Sequence, residues 1–485
     1  MAAVRQKFGR GVAWMAMGNW TEQAVNFAVF VALARILDSA AFGLMAMASV
    51  VIVLAEFLVR ETLTEHLIAD DAPGDEDFNA VFWALAVLGT VLTAVILALA
   101  RPIAEAYGEA LVAPLIVWMV PSILMTALTA VPVAVLRREL AFRSLSLRAI
   151  MGVIGGGLVG LGMAFAGYGV WALVGQRVVQ VLVNALVAWI AMPWRPGLRT
   201  SRLHLHRVLR IGSQAMLLRA SELAITQVPT VVLGRVLGPV ATGYYTVAWR
   251  LIETASFLIV TPLRMASQPA FAALRREGQG GHAQLLTDIS RLASFLAFPA
   301  FAGLAALAKP MLLLVFGPGW SPSTLPLMVL AASGAYYCVE KVQLSFGLAM
   351  GRAGAFAALG WASVAALFLV CEVAVRWGTP AVAAGFVGTL LVFWPFRVAI
   401  LSRLSGASVP VLFRPHVLPL LGAVPMALLV VPIPDALWDT FPGARPVVVI
   451  LIGVLAGVAL YAVYTLLLMR PRLRLLLSLF SHPAK

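Results

Sequence analysis

The sequence predicts an all-α, polytopic membrane protein of about fourteen transmembrane helices, and three observations carry that prediction. Of 485 residues, 62% are hydrophobic and only 12% charged, whereas soluble domains run near 45–50% apolar and about 25% charged. The mean hydropathy is +0.96, more apolar surface than one water-soluble core can hide. The apolar residues also come in runs of the roughly 20 residues that a bilayer crossing needs.

Those runs lie near 12–36, 42–60, 79–100, 111–136, 146–166, 169–192, 208–235, 242–265, 289–313, 324–349, 354–376, 380–402, 416–433 and 446–469. The first follows Arg5, Lys7 and Arg10 and superficially resembles a signal peptide. It is too long for an h-region, contains Glu22 and Asn26, and lacks a small-residue cleavage site before a soluble domain. It is therefore the first span. The connections are short, and the longest acidic one, Glu61 to Asp77, contains Pro73 and Gly74.

Charge sets the expected orientation. Arg137, Arg138, Arg143 and Arg148, then Arg195, Arg199, Arg202, Arg207 and Arg210, fall on the side of the N-terminus. Arg275, Arg276, Arg352, Arg403, Arg414, Arg470, Arg472, Arg474 and Lys485 fall there too. This is the positive-inside pattern, so both termini are expected in the cytoplasm. The Glu61–Asp77 connection shares that side although it is acidic, and acidic residues count for little in the rule. The net charge of +14 is thereby explained without nucleic acid.

The chain repeats itself at an offset of about 200 residues. "VALARILDSAAFGLMAMA" (31–48) aligns with "VVLGRVLGPVATGYYTVA" (231–248), pairing Arg35 with Arg235 and Gly43 with Gly243. Extending the alignment backwards pairs Glu22 with Glu222. Six spans separate the copies, so the halves run parallel, an arrangement that places a substrate path between them. The expected divisions are 1–200, 201–405 and a 406–485 pair of spans with a basic tail.

A charge at the bilayer centre costs roughly 2.5–3.5 kcal/mol on insertion scales, so it faces protein or a wet cavity. The first span offers Asn19, Glu22 and Asn26 on one face, and the second Glu56. The seventh offers Arg219, Glu222 and Thr226, and the eighth Arg250, Glu253, Thr261 and Arg264. Further along come Glu340 and Lys341, then Glu372 and Arg397. Arg219, Arg250, Arg264 and Lys341 suit a phosphate-bearing substrate, because a guanidinium forks onto phosphate oxygens and never deprotonates. Glu22, Glu56, Glu222, Glu253 and Glu340 are candidates for ion coupling or charge pairing. Two readings compete here, since Arg219 with Glu222 and Arg250 with Glu253 are also i,i+3 pairs that make each other tolerable.

Other chemistry has no foothold. No G-x-x-x-x-G-K-[ST] loop exists, and none of Lys7, Lys309, Lys341 and Lys485 follows a glycine. Cys338 and Cys371 sit in apolar runs with no metal-ligand spacing. His204 and His206 lie in an arginine-rich connection without a carboxylate or cysteine partner. Asp435 and Asp439, in the Pro432–Pro442 connection, are a thin basis for a catalytic site. No cofactor, metal or enzymatic domain is expected.

Several stretches resemble one known family. "LARILDSAAFGLMAMA", "VLRRELAFRSLSLRAI" (135–150), "AGYGVWALVGQRVVQ" (166–180) and "MPWRPGL" (192–198) belong to the first half. "VVLGRVLGPVATGYYTVAWRL" (231–251) and "FGPGW" (316–320) belong to the second. They are similar to the bacterial oligosaccharide-lipid flippases of the colanic-acid-exporter type, within the multidrug/oligosaccharidyl-lipid/polysaccharide exporter superfamily. The resemblance implies two pseudo-symmetric six-helix bundles around a central cavity that opens alternately to each face, with two accessory helices that would form a lipid-tail groove. It also implies an inner-membrane location and an undecaprenyl-diphosphate-linked oligosaccharide as substrate. Membrane lipids and the polysaccharide polymerase or export machinery are the implied partners. The competing functions are a drug or cation antiporter of the same superfamily, with Glu22 and Glu222 as cation sites, and a membrane glycosyltransferase or polymerase. The arginines of spans seven and eight oppose the first, and the lack of a large periplasmic loop opposes the second.

Overall fold

The computed structural model describes residues 2–62, 74–192, 194–197, 213–277 and 281–468. Most of the Glu61–Asp77 connection lies outside the described residues, as do His204, His206, Arg199, Arg202, Arg207, Arg210 and the basic tail from Arg470 to Lys485. Within them the chain is helical and contains no strand. With no water in the hydrocarbon core, a helix is the way for each backbone N–H and C=O to find a partner inside its own segment.

The first half of the chain forms α1 (Ala2–Ile36), α2 (Ser39–Thr62), α3 (Asp75–Tyr107), α4 (Val112–Met119), α5 (Pro121–Arg138), α6 (Phe142–Phe165) and α7 (Trp171–Ala191). The helix α8 (Ser213–Glu277) follows. Then come α9 (His282–Ala306), α10 (Ala308–Val315), α11 (Thr324–Ala349), α12 (Ala353–Ala374) and α13 (Thr379–Ser405). The chain closes with α14 (Val409–Val430), α15 (Ile433–Thr440) and α16 (Pro446–Leu468). Eleven stretches among the described residues are long and apolar enough to cross a bilayer, and one of them, Met216–Met265, covers 50 residues. At about 1.5 Å per residue that stretch is far longer than a ~30 Å hydrocarbon core. It breaks at Gly238, whose φ of 77° is non-helical. Counting it as two, and adding α1 and α11, gives fourteen. Those two long helices fall outside the eleven and carry Glu22 and the Glu340–Lys341 pair respectively.

Two details depart from simple rods. The fourth expected span is broken where Pro121 starts α5, a position at which its missing N–H costs nothing. The ninth is broken at Leu307, between α9 and α10. Packing divides the chain into two compact units, Met1–Thr246 and Val247–Lys485. The first has a continuous core that includes Met47, Ile52, Leu85, Leu115, Ile116 and Met119, all fully buried.

The repeat has a physical counterpart inside the first unit. A Cβ on Gly43 would collide with the carbonyl oxygen of Pro239, and a Cβ on Gly243 would collide with that of Ser39. Under the 200-residue offset Ser39 corresponds to Pro239 and Gly43 to Gly243, so the two contacts are one contact made reciprocally. Glycine at both places is a condition of that close approach. Elsewhere the second unit shows lipid-facing surface, with Val447, Leu451, Leu455, Val458, Leu466 and Leu467 of α16 exposed. Such a face is tolerable only against acyl chains.

Candidate functional site

The site of the first unit begins with small residues. Gly152, Gly156 and Gly160 lie every fourth residue along α6, where a Cβ would run into Asn184, the Gln176 carbonyl and Gln180, and Gln176 of α7. The missing side chains let α7 lie directly against α6. On the same helix, a Cβ at Gly157 would strike Val29 of α1. Close packing of α1, α6 and α7 brings polar side chains from each into one place.

That place is a cavity of about 300 Å³ whose lining holds Glu22, Glu56, Arg60, Arg137, Arg148 and Arg177. Thr126, Thr129, Gln180 and Asn184 add uncharged polar groups. On α7, Arg177, Gln180 and Asn184 stand at i, i+3 and i+7, one helical face. Glu56, 7% exposed, is the best-held member. It accepts a hydrogen bond from Ser122 Oγ at 2.6 Å and one from Arg177 Nη2 at 2.8 Å, so it ties α2, α5 and α7 together. Arg148 and Arg60 are the cations whose fields act on Glu22. Four guanidiniums face two carboxylates, and the lining keeps a positive excess. Nε of Arg148, Nε of Arg177 and Oδ1 of Asn184 are buried and make no hydrogen bond, capacity that a polar guest and small side-chain rotations would use.

Two of the nine residues expected from the sequence, Glu22 and Glu56, line this cavity. Arg219 and Glu222 lie half-buried on the first part of α8 and are not among its lining residues. In the second unit, Arg250 Nη1 bonds Glu253 Oε2 at 2.8 Å across i,i+3, the geometry of the pairing reading. Arg264 is exposed. Lys341 Nζ lies 5.8 Å from the Tyr337 ring centroid, a cation–π distance. Glu340 is 5% exposed and forms an ion pair with Arg397. Arg60, Arg137, Arg148 and Arg177 line the cavity without being among the nine. Arg137 and Arg148 read as positive-inside charges, and Arg60 sits at a helix end. Arg177 alone gave a signal, a cation in mid-span with two amides on its face.

The second unit holds a cavity of another kind, about 760 Å³, between α9, α10, α14 and α16. Its lining includes Leu304, Leu307, Met311, Met426, Val454 and Val458 and is almost wholly apolar. Tyr461 and Thr465 are its polar exceptions, and each donates to a backbone carbonyl, Phe295 O at 3.5 Å and Tyr461 O at 2.7 Å. Among the described residues no group of three or more His, Cys, Asp or Glu is arranged to hold a metal ion.

Comparison with known proteins agrees with this architecture. The chain is 27% identical over 327 residues to the succinoglycan biosynthesis transport protein ExoT of Rhizobium meliloti, covering 67% of this chain. That match spans 65% of the relative's length, just under two thirds. It is 24% identical over 363 residues to the lipopolysaccharide biosynthesis protein WzxC of Escherichia coli, covering 72% of this chain and 70% of that one. Among solved structures, the inward closed conformation of the lipid II flippase MurJ superposes with a TM-score of 0.75 over 95% of this chain and 99% of that one, at 12% identity. An inward-facing multidrug-resistance transporter of the MATE family gives 0.59 over 80% of this chain and 96% of that one at 15% identity. The profile of the polysaccharide biosynthesis protein family matches residues 32–325, more than half of the sequence, and the chain belongs to that family.

Proposed function

We propose that this membrane protein flips undecaprenyl-diphosphate-linked oligosaccharide repeat units from the cytoplasmic to the periplasmic leaflet by alternating access, for lipopolysaccharide or exopolysaccharide synthesis. The observation that carries the reading is the arginine-lined cavity of the first unit. A diphosphate esterified on both sides keeps one negative charge on each phosphorus. Four guanidiniums less two carboxylates leave a matching excess of two positive charges in the lining. Guanidinium forks bind phosphate oxygens in pairs. A cavity of about 300 Å³ accommodates a diphosphate and not a repeat unit of several sugars, so recognition centres on the part common to all such lipids.

The apolar cavity of the second unit supports the same reading as a seat for part of the polyprenyl chain. In the proposed organisation residues 1–200 and 201–405 are the six-span halves, and 406–485 carry the two accessory spans. Both termini are cytoplasmic, and a polysaccharide polymerase consumes the product on the far side. The names of the curated relatives, a succinoglycan transport protein and a lipopolysaccharide biosynthesis protein, point the same way, towards transport and away from catalysis.

The test is a flip assay in proteoliposomes with a fluorescent undecaprenyl-diphosphate-linked oligosaccharide. Accessibility to an impermeant reagent should change with the wild-type protein and not with Arg148→Ala. A second reading, export of cationic drugs, is kept open by the fold shared with the multidrug transporter. The positive excess around Glu22 and Glu56 opposes it. Transport of a cationic dye, with no movement of the lipid-linked glycan, would overturn the proposal.

A further inference from the structure

Three prolines lie inside α14, at 415, 419 and 425. Proline has no N–H to give to the carbonyl four residues earlier, so Pro415 frees the carbonyl of Val411 and Pro419 frees that of Pro415. Both residues line a cavity of about 190 Å³ between α9 and α14, together with Gln284, Thr287, Arg291 and Arg414. Arg291 is held by Asp288 at 3.1 Å, and Gln284 Nε2 donates to the same carboxylate at 2.9 Å. Thr287 Oγ1 donates to the Ala283 carbonyl at 2.6 Å, which leaves its lone pairs as acceptors. Arg414 is exposed and has no ion-pair partner among the described residues. Beyond it, Val417, Leu420, Leu421, Val424 and Leu428 form the exposed apolar side of α14.

Residues that carry guanidiniums and residues whose carbonyls are freed therefore line one cavity at the N-terminal end of the exposed apolar face of α14. Basic pockets between membrane helices on the cytoplasmic side bind phosphate-bearing lipid headgroups. A purely anionic headgroup would use the guanidiniums and leave the two carbonyls without donors, at the cost of unsatisfied acceptors. An ammonium offers three donors and no acceptor. We propose that this cavity seats the headgroup of a phosphatidylethanolamine-type phospholipid. Its phosphate lies on Arg414 and Arg291, its ammonium on the freed carbonyls of Val411 and Pro415, and its acyl chains along α14. None of these residues belongs to the arginine cavity of the first unit, so the site stands or falls independently of the transport reading.

The experiment is native mass spectrometry of the delipidated full-length protein, titrated with phosphatidylethanolamine, phosphatidylglycerol, diacylglycerol or undecaprenyl diphosphate. Phosphatidylethanolamine should bind most tightly and diacylglycerol should not bind above background. Arg414→Ala should weaken the phosphatidylethanolamine adduct about tenfold, as loss of one charge-assisted contact implies. Arg414→Lys, which keeps a charge for the phosphate, should recover part of that loss. Pro415→Ala restores a backbone donor for Val411 and should reduce the preference for ethanolamine over glycerol. Pro415→Ala with Pro419→Ala, which restores donors for both carbonyls, should erase it while leaving phosphatidylglycerol binding unchanged. Melting temperatures of the variants separate lost binding from lost folding. Equal binding of diacylglycerol, or full binding by a folded Arg414→Ala, overturns the site. Preference for phosphatidylglycerol overturns the ammonium half, and displacement by undecaprenyl diphosphate at lower concentration than by phospholipid assigns the cavity to another guest.

Discussion

The arginine cavity of the first unit and the apolar cavity of the second are built on opposite principles. The first gathers four guanidiniums and two carboxylates into about 300 Å³ and is sensitive to charge. The second offers about 760 Å³ lined almost wholly by carbon and is sensitive to volume. Buried ions are tolerated only with partners at good geometry, which is why Glu56 is held by both Ser122 and Arg177. An apolar cavity asks for no such partners, and its wall of Leu, Val and Met can shift to suit a flexible chain. A guest with a diphosphate at one end and a hydrocarbon at the other would use both kinds of surface. Substitutions should therefore sort by cavity, charge changes acting in one and bulk in the other.

The largest effect is expected from Arg177→Ala. It strands the buried Glu56 carboxylate, a loss of about 3–5 kcal/mol, and the protein should largely disappear from membranes in a quantitative blot. The double variant Arg177→Ala with Glu56→Gln removes the stranded charge. It should restore abundance without restoring glycan flipping. A double variant that flips at the wild-type rate would remove the charge cavity from the mechanism.

Next comes Arg148→Ala, with flipping reduced about a hundredfold, the equivalent of roughly 2.7 kcal/mol, at near-normal abundance. Arg148→Lys keeps the charge, loses the fork and should fall between the two. In the apolar cavity, Gly457→Phe fills space. A Cβ there meets Met426 and Val430 no closer than 3.7 Å, so the protein should fold, and flipping should fall several-fold while binding of a short-chain diphosphate analogue is unchanged. If Gly457→Phe and Arg148→Ala weaken that short analogue equally, the division of labour between charge and volume is wrong. The smallest effect belongs to Arg264→Ala. This exposed side chain should change stability by less than about 0.5 kcal/mol, read from the midpoint of thermal unfolding.

The membrane spans were legible because hydropathy and helix length are written in the sequence at the scale of the bilayer. The break at Gly238 falls between the expected seventh and eighth spans, and many helix ends agree to within a few residues. Helices overrun the apolar runs where polar residues continue them: α1 begins at Ala2, α3 runs on to Tyr107, α8 runs on to Glu277, and α9 and α14 begin at His282 and Val409. Glu22 and Glu56 were legible for a related reason, as acids inside apolar runs. Arg60, Arg137 and Arg148 were not, because a cation near a helix end satisfies the positive-inside rule whether or not it also lines a cavity. Sequence gives the depth of a side chain and not the direction in which a long guanidinium stem bends. Arg177 is the exception, a cation in mid-span that the sequence does mark. The repeated spans point to Arg219 and Arg250, whereas the glycine seam that sets α7 against α6 depends on Gly152, Gly156 and Gly160 lying opposite Gln176, Gln180 and Asn184 in the folded chain.

The reciprocal glycine contact has a consequence in time. Gly43 emerges from the ribosome long before Pro239, its counterpart about 200 residues later. At 5–20 residues per second of synthesis, α2 waits roughly 10–40 s in the membrane with its small-residue face uncovered. During that interval the same face is open to any other helix with a close-packing surface. A nascent chain arrested before residue 239 should therefore be captured by quality-control proteases far faster than one arrested after residue 246, because only the longer chain carries the partner that covers Gly43.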